Sequence, residues 1–334
     1  MGKPVRMADI AEKLNISVVS VSKALAGKPG VSEEMRAKVV ALAQELGYES
    51  VRVYREMVDG GNIGVLVADR FFDENTFYTN LYRCLVLSCG EEGLTCMLEI
   101  VPWESERRAV VPALVAGRKV DGLVVLGNME QSYLQKVFAS GLPCLLLDFY
   151  VPGGGVDCVV SDNVDGGCAL TEHLLAQGLR DIGFIGSIRA TSSIMDRYLG
   201  YQRALRLAGL TPREEWLLED RDGEGRFLPI ELPETLPQAF LCSCDEVAYN
   251  LAEALWAAGK RVPEDVAVCG YDDFRFATLC QPPLTTYRVN VEQMAETAVG
   301  RLAARIRQGQ DAPFLTFKIS GQMVVRQSSR RDGT

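Results

Sequence analysis

The feature that most restricts the fold of this chain is a change of texture near residue 62. Before it, apolar residues recur at helical spacing. After it, short β-rich runs alternate with helical segments, and that alternation calls for parallel strands covered on both faces by helices. The first series runs IGVLV (63–67), a helix over 79–91, TCMLEI (95–100), a helix over 104–116, GLVVL (122–126), a helix over 131–140 and CLLL (144–147). A second series runs CVVS (158–161), a helix over 164–177, DIGFI (181–185), a helix over 193–208, AFLC (239–242), a helix over 245–258 and VAVCG (266–270). Two such series imply two similar lobes. The last stretch, with PLTTYRVN (283–290), a helix over 291–308, FLTFKIS (314–320) and QMVVR (322–326), is expected to cross back and complete both sheets.

The first 47 residues carry three short amphipathic patterns, too short to stand alone. Ile10, Ala11 and Leu14 share one side of the first; Val21, Ala24 and Leu25 one side of the second; Met35, Val39, Leu42, Ala43 and Leu46 recur along the third. Asn15 sits where a tight turn demands a left-handed backbone, which asparagine tolerates. Ser17 and Ser32 are candidate N-caps, Glu33 and Glu34 suit the positive end of the third helix, and Gly47 closes it. The resulting order is helix, sharp turn, helix, loop, helix. Residues 48–61, ending in paired glycines, read as a linker, and 62–329 as the body. Within the body, one lobe is expected over about 62–159 and 290–317, the other over about 160–289 and 318–329.

Composition narrows the function. Hydrophobic residues make up 48% and charged ones 24% of 334 residues, ordinary globular usage, with no apolar run near the roughly 18 residues of a membrane span. The start, MGKPVRMADIAEKLN, is amphipathic and unlike a secretory signal, so a cytoplasmic location is expected. Ten cysteines with no CxxC and one histidine point to reduced core thiols; the nearest spacing to a metal pair, Cys242 and Cys244, lacks further ligands nearby. No GxSxG, GxGxxG after a strand or GxxxxGK[ST] occurs, so neither a cofactor nor an enzyme of those classes is expected. His173 reads as a packing residue, and Gly153 to Gly155 as a turn. The net charge of −9 argues against nucleic acid until it is divided: residues 1–59 hold nine Lys/Arg and eight Asp/Glu, so the acidity belongs to the remainder.

The segment MADIAEKLNISVVSVSKALAGKPGVSEEMRAKVVALAQELGY resembles the DNA-binding head of the lactose-repressor (LacI) family of bacterial regulators: D-I-A, the turn, S-x-x-S-V-S-K, V-S-E-E and E-L-G-Y occur in register. In a helix-turn-helix the N-terminal part of the second helix enters the major groove. With Val21, Ala24 and Leu25 buried, Val18, Val19, Ser22 and Lys23 face outward, the valines suited to thymine methyls and Lys23 to a guanine or a phosphate. Ser17 and Ser20 are candidate phosphate contacts. The resemblance further implies a linker that folds on operator DNA, with Met57 near the position of a minor-groove wedge and Arg52 and Arg55 near phosphates. Glu49, Ser50 and Val51 depart from the family pattern there.

SDNVDGGCALTEHLLAQGLRDIGFIGS, Arg197 with GYQRAL, CDEVA, VAVCGYDD and PPLTTYRVN resemble the family's effector domain, itself similar to periplasmic sugar-binding proteins. The implied fold is α/β: a three-helix head plus a two-lobed effector domain with parallel sheets. Ligands of such lobes sit at the carboxyl ends of strands. That places Phe77, Tyr78, Asp148, Phe149, Arg197, Cys244 and Asp272 at the cleft; Cys244 stands where relatives commonly carry a ligand-binding asparagine. Residues 216–237 depart from the family, with the usual helix before AFLC shortened or lost. The expected function is a repressor that binds a palindromic operator as a homodimer, through surfaces that include Leu81, Leu85 and Val86, and answers to a sugar or sugar derivative. A solute-binding protein of the same two-lobed fold is the alternative.

Overall fold

The computed structural model of the chain describes residues 7–25, 30–45, 61–72, 77–308 and 312–330. It divides into two compact units, Met1–Gly61 and Asn62–Thr334.

In the first unit, α1 (Met7–Leu14), α2 (Val18–Leu25) and α3 (Glu33–Glu45) enclose a small core of Ile10, Ala11, Val21, Ala24 and Val39. Asn15 adopts φ 51°, the left-handed turn its residue type allows. The Ser17 hydroxyl accepts the Ser20 amide at 3.0 Å and the Ser32 hydroxyl accepts the Met35 amide at 3.3 Å, so both serines cap the helices that follow them. Arg36 on α3 donates to the Ala24 carbonyl at 3.3 Å, tying α3 to the end of α2.

The second unit holds two parallel sheets. The first takes β1 (Asn62–Ala68), β2 (Thr95–Val101), β3 (Gly122–Leu126), β4 (Cys144–Leu147) and β5 (Asp157–Ser161), with helices α4 (Phe77–Glu91), α5 (Trp103–Arg107), α6 (Ala113–Ala116) and α7 (Gln131–Phe138) between strands. The second takes β6 (Ile182–Ile185), β7 (Leu217–Leu218), β8 (Ala239–Cys242) and β9 (Ala267–Cys269), with α8 (Asn163–Ala176), α9 (Ser192–Leu207), α10 (Asp245–Ala257) and α11 (Arg275–Leu279). After β10 (Thr286–Arg288) and α12 (Val291–Gln308) come β11 (Thr316–Ile319) and β12 (Gln322–Val324). Strand order is β11-β5-β4-β3-β1-β2 in one sheet and β7-β6-β8-β9 in the other, every pairing parallel. Every residue of β3 and β8 is buried, as strands covered on both faces require.

Four expectations need correction. The CVVS run, expected to open the second series, is β5 of the first sheet, paired with β4 and β11. Only β11 joins a sheet of a lobe; β10 and β12 form an antiparallel pair of their own, meeting the end of β9 and the residues after it through isolated bridges at Cys269 and Thr285 and at Asp272 and Arg288. The helix expected over 104–116 is broken into α5 and α6, because Pro112 lacks an amide proton and disfavours helical backbone at Val111. Leu81 and Leu85, expected at a dimer surface, are fully buried; the exposed apolar residues of α4 are Val86 and Leu87. The segment before β8 has no helix, only a short 3-10 turn over Glu214–Trp216, and its Ile230, Leu232 and Leu236 pack instead on the second lobe's core. Gly153 and Gly155 have φ of 69° and 59°, and the Gly154 amide closes a turn onto the Val151 carbonyl at 2.9 Å.

One buried ion cluster ties α12 to the sheet edge. The Asp157 carboxylate accepts from Arg301 at 3.0 Å, Arg305 at 2.7 Å and the Leu315 amide at 2.8 Å, with 1% of its side chain exposed. Burial alone pushes this carboxyl up, but the bonds from Arg305 and Arg301 outweigh it and hold Asp157 below its ordinary value. Removing one partner of such a cluster leaves buried charge uncompensated. Asp157→Ala is expected to lower unfolding stability by about 3–5 kcal/mol in urea titration; a loss below about 1 kcal/mol would show that the arginines re-solvate freely.

Candidate functional site

The outward face of α2 is the first candidate. With Val21 and Ala24 facing the core, Val18 and Val19 are left 46% and 63% exposed, and Lys23 is exposed beside them. Exposed β-branched residues leave apolar surface in water without packing in the free protein, so the face suits an apolar partner such as a base methyl. Ser17 is exposed and Ser20 half-buried, their hydroxyls 2.9 Å apart. The side chain of Ser22 and the whole of Arg52, Arg55 and Met57 lie outside the described residues.

The second candidate is a cavity of about 480 Å³ between the two lobes of the body. Its walls follow the carboxyl ends of strands: Arg70 and Phe71 after β1, Asp148 after β4, Thr191 to Arg197 after β6, Arg221 after β7, Ser243 and Cys244 after β8, and Asp272 to Phe276 after β9. Of the seven residues placed there from sequence, Phe77, Tyr78, Asp148, Arg197, Cys244 and Asp272 line this cavity. Phe149 does not. It is 1% exposed and packs in the apolar cluster on the other face of the sheet with Met129 and Leu146. The chain leaves β4 at Asp148 with a left-handed φ of 69°, and from that turn Asp148 enters the cleft while Phe149 enters the cluster on the other side.

Arg197 organises the cavity. Its Nε donates to Asn163 Oδ1 at 2.8 Å, one terminal nitrogen donates to the Ser243 carbonyl, another lies 3.5 Å from Asp272 Oδ1, and the guanidinium stacks 3.8 Å from the Tyr271 ring centroid. Close helix packing sets this position. A Cβ on Gly167 of α8 would come within 2.3 Å of the Arg197 carbonyl, and one on Gly200 of α9 within 2.1 Å of the Val164 carbonyl. Both positions require glycine for α8 and α9 to approach this closely.

From the other lobe, the Tyr78 hydroxyl donates to Asp148 Oδ2 at 2.9 Å, while Asp148 Oδ1 is buried with no protein partner. The residue has φ 69° and its carbonyl accepts from Ser193 of the second lobe at 2.7 Å. Burial pushes Asp148 up to about 6 against the opposing pull of Arg197, and burial likewise pushes Asp272 up to about 7. Cys244 is held as a neutral thiol, pushed up to about 12 by burial, which makes it a weak hydrogen-bonding partner.

Sequence reasoning missed the rest of the polar frame. Arg221 pairs with the buried Asp220 at 2.9 Å and lies over Phe227 at 4.8 Å, and Ser243 and Ser187 hold Asp220 in turn. The residues 219–228 carry abundant charge, but nothing in their order marks which side chain turns inward. His173 is hydrogen-bonded to Ser329 at 2.8 Å and its pKa is lowered by burial, as suits a neutral packing residue.

Two family models match parts of the chain. Residues 6–50 match the model of the bacterial regulatory proteins of the lacI family, and residues 171–329 match that of the periplasmic binding protein-like domain. The HTH-type transcriptional repressor PurR of Glaesserella parasuis is 26% identical over 334 residues, covering 96% of this chain and 97% of its own. Among solved structures, the transcriptional regulator CelR in complex with cellobiose superposes with a TM-score of 0.68 at 24% identity, over 97% of this chain and 99% of its own. A lac repressor dimer bound to operator and the anti-inducer ONPF gives 0.68 at 23%, over 98% and 99%. A groove-reading head joined in one chain to a two-lobed binding body defines a DNA-binding transcriptional regulator, with a lacI-family head over residues 6–50 and a periplasmic binding protein-like domain over 171–329. The named relatives are regulators, not enzymes. Among the described residues no helix is long and apolar enough to cross a membrane.

The raised carboxyls give a pH signature. A carboxyl that binds its proton more tightly in the folded than in the unfolded chain favours folding below the unfolded value of 3.8, and that contribution is lost as pH rises through about 7. Asp272→Asn is therefore expected to reduce the fall in melting temperature between pH 5 and pH 8 relative to the parent chain, by calorimetry at matched ionic strength. An unchanged or steeper fall would mean that Asp272 is not held protonated by its site.

Proposed function

We propose that this regulator is a repressor that binds an operator of two-fold symmetry as a homodimer, and that a sugar or sugar derivative in the interlobe cavity alters its hold on DNA. In this reading residues 1–47 form the DNA-binding head, 48–61 the linker, and 62–329 the effector and dimerisation body. The observation that carries the DNA reading is the exposure of Val18 and Val19 on α2, next to Lys23. One head of three short helices offers too little surface for tight binding, so two act together on paired half-sites. Exposed apolar side chains on both lobes, Val86 and Leu87 on α4 and Trp256 and Leu279 in the second lobe, support association of two bodies. A lac repressor of the same fold is a dimer on its operator. The proposed place of action is the cytoplasm, where the DNA is.

The sugar reading rests on the unpartnered Asp148 Oδ1, a buried acceptor that a ligand hydroxyl satisfies, set opposite the Arg197–Asp272 pair. CelR, which shares the fold, is solved with cellobiose. Because the walls come from both lobes, a ligand that fits one lobe angle better than another shifts the equilibrium between angles. A differential preference of about 3 kcal/mol changes operator affinity roughly a hundredfold.

Lys23→Ala is expected to weaken operator binding by about 1–3 kcal/mol if the ammonium reads a base, and by less, uniformly across sequences, if it meets only phosphate. A gel shift with genomic fragments decides between them; full retention of affinity and sequence preference removes Lys23 from the interface. Arg197→Ala is expected to abolish the change in operator affinity that the effector produces in the same assay, and an unaltered effector titration rejects the cleft as the effector site.

A further inference from the structure

The cavity described above has a neighbour. A second chamber of about 690 Å³ lies beside it and shares Arg70, Phe71, Thr191, Arg221 and Gly225 as common lining. It too is built at the carboxyl ends of strands, with Trp103 after β2, Asn128 to Gln131 after β3, Tyr150 after β4 and Arg189 after β6. Its walls come from both lobes and are held together by hydrogen bonds across the cleft: Asn128 to the Ala190 carbonyl at 3.0 Å and the Tyr150 hydroxyl to Asp196 at 2.9 Å. Each chamber alone falls within the roughly 300–1,000 Å³ of a small-molecule pocket.

The charge of the lining limits what enters. The two chambers together present five arginines and eight carboxylates. Two of the arginines are already neutralised from behind: Arg70 by Glu106, whose side chain is 0% exposed, and Arg221 by the equally buried Asp220. With Arg197 paired to Asp272, and Asp222 and Glu224 paired to Arg226, the lining offers an anionic ligand no excess of cation, whereas hydroxyl groups find both donors and acceptors. Trp103, Phe71 and Tyr150 add the aromatic surface on which the apolar faces of pyranose rings pack.

On these grounds, and resting on the sugar reading of the inner cavity, we infer that the effector is an uncharged saccharide of at least two linked rings. One ring lies against Asp148, Arg197 and Asp272, and the next lies in the outer chamber against Trp103 and Arg189.

Isothermal titration of the full-length protein with maltose, cellobiose, lactose, sucrose and trehalose, each beside its component monosaccharides, tests this. The sugar 6-phosphates and hypoxanthine complete the panel. The expected result is one disaccharide binding at least tenfold more tightly than either of its units and than any phosphorylated sugar. Both Trp103→Ala and Arg189→Ala should narrow that disaccharide-to-monosaccharide ratio at least fivefold; Arg189 is exposed, so its variant guards against a folding defect in the other. A monosaccharide or a sugar phosphate that binds as tightly as any disaccharide overturns the two-ring assignment but keeps the sugar reading. A ratio that stays unmoved in both variants overturns the two-ring assignment in the same way. Binding of hypoxanthine alone, or of nothing in the panel, rejects the sugar reading and the inference together, while a retained gel shift leaves the DNA reading standing.

Discussion

The binding body depends on one buried guanidinium. Arg197 is 6% exposed, and a charge placed there is tolerable only if each of its donors finds a partner. Asn163, the Ser243 carbonyl and Asp272 supply those partners from three separate segments, and Tyr271 covers the flat face. The arrangement fixes the relative positions of α8, α9 and the ends of β8 and β9. It also presents one side of the charge to the cleft. The tight approach of α8 and α9, with Gly167 and Gly200 at the contact, is the backbone condition for it. Structure and recognition thus use the same atoms.

The electrostatics of the cleft follow from this economy. Asp148 and Asp272 face a single arginine that is already engaged, and burial drives both carboxyls toward neutral pH. A carboxyl that keeps its proton donates as well as accepts, so each can meet a ligand hydroxyl in either sense. Cys244 adds little, because a neutral thiol donates weakly. An uncharged, hydroxyl-rich ligand is complementary to such a site in a way that a phosphate is not.

Much of this was legible in the sequence, for physical reasons. Strands β1, β3 and β8 are buried on both faces, so they read as unbroken apolar runs, and the head's helices declare themselves by spacing, caps and the turn at Asn15. The motifs around Arg197 and Asp272 placed the cleft. What escaped were properties that local patterning does not carry. The orientation of Phe149 follows from the left-handed backbone at Asp148, which is invisible in a string of letters. Asp157 meets Arg301 and Arg305 across 144 and 148 residues, and Arg221 turns inward only because Asp220 beside it is buried. The pairing of β10 with β12 involves three residues each, too short a signal to assign to either sheet. The rival reading as a stand-alone solute-binding protein left the head unexplained, and the match of residues 6–50 accounts for it.

The placement of β11 has a consequence for biogenesis. The second lobe's sheet is assembled from β6 to β9, a contiguous stretch that ends at Cys269, whereas the first lobe's sheet lacks its border strand until Thr316–Ile319 has been made. During synthesis, β5 therefore presents an open row of amides and carbonyls while about 150 further residues leave the ribosome. The lobe begun first is the one finished last, and its vulnerability to wrong partners on the nascent chain is highest before the C-terminal border strand arrives.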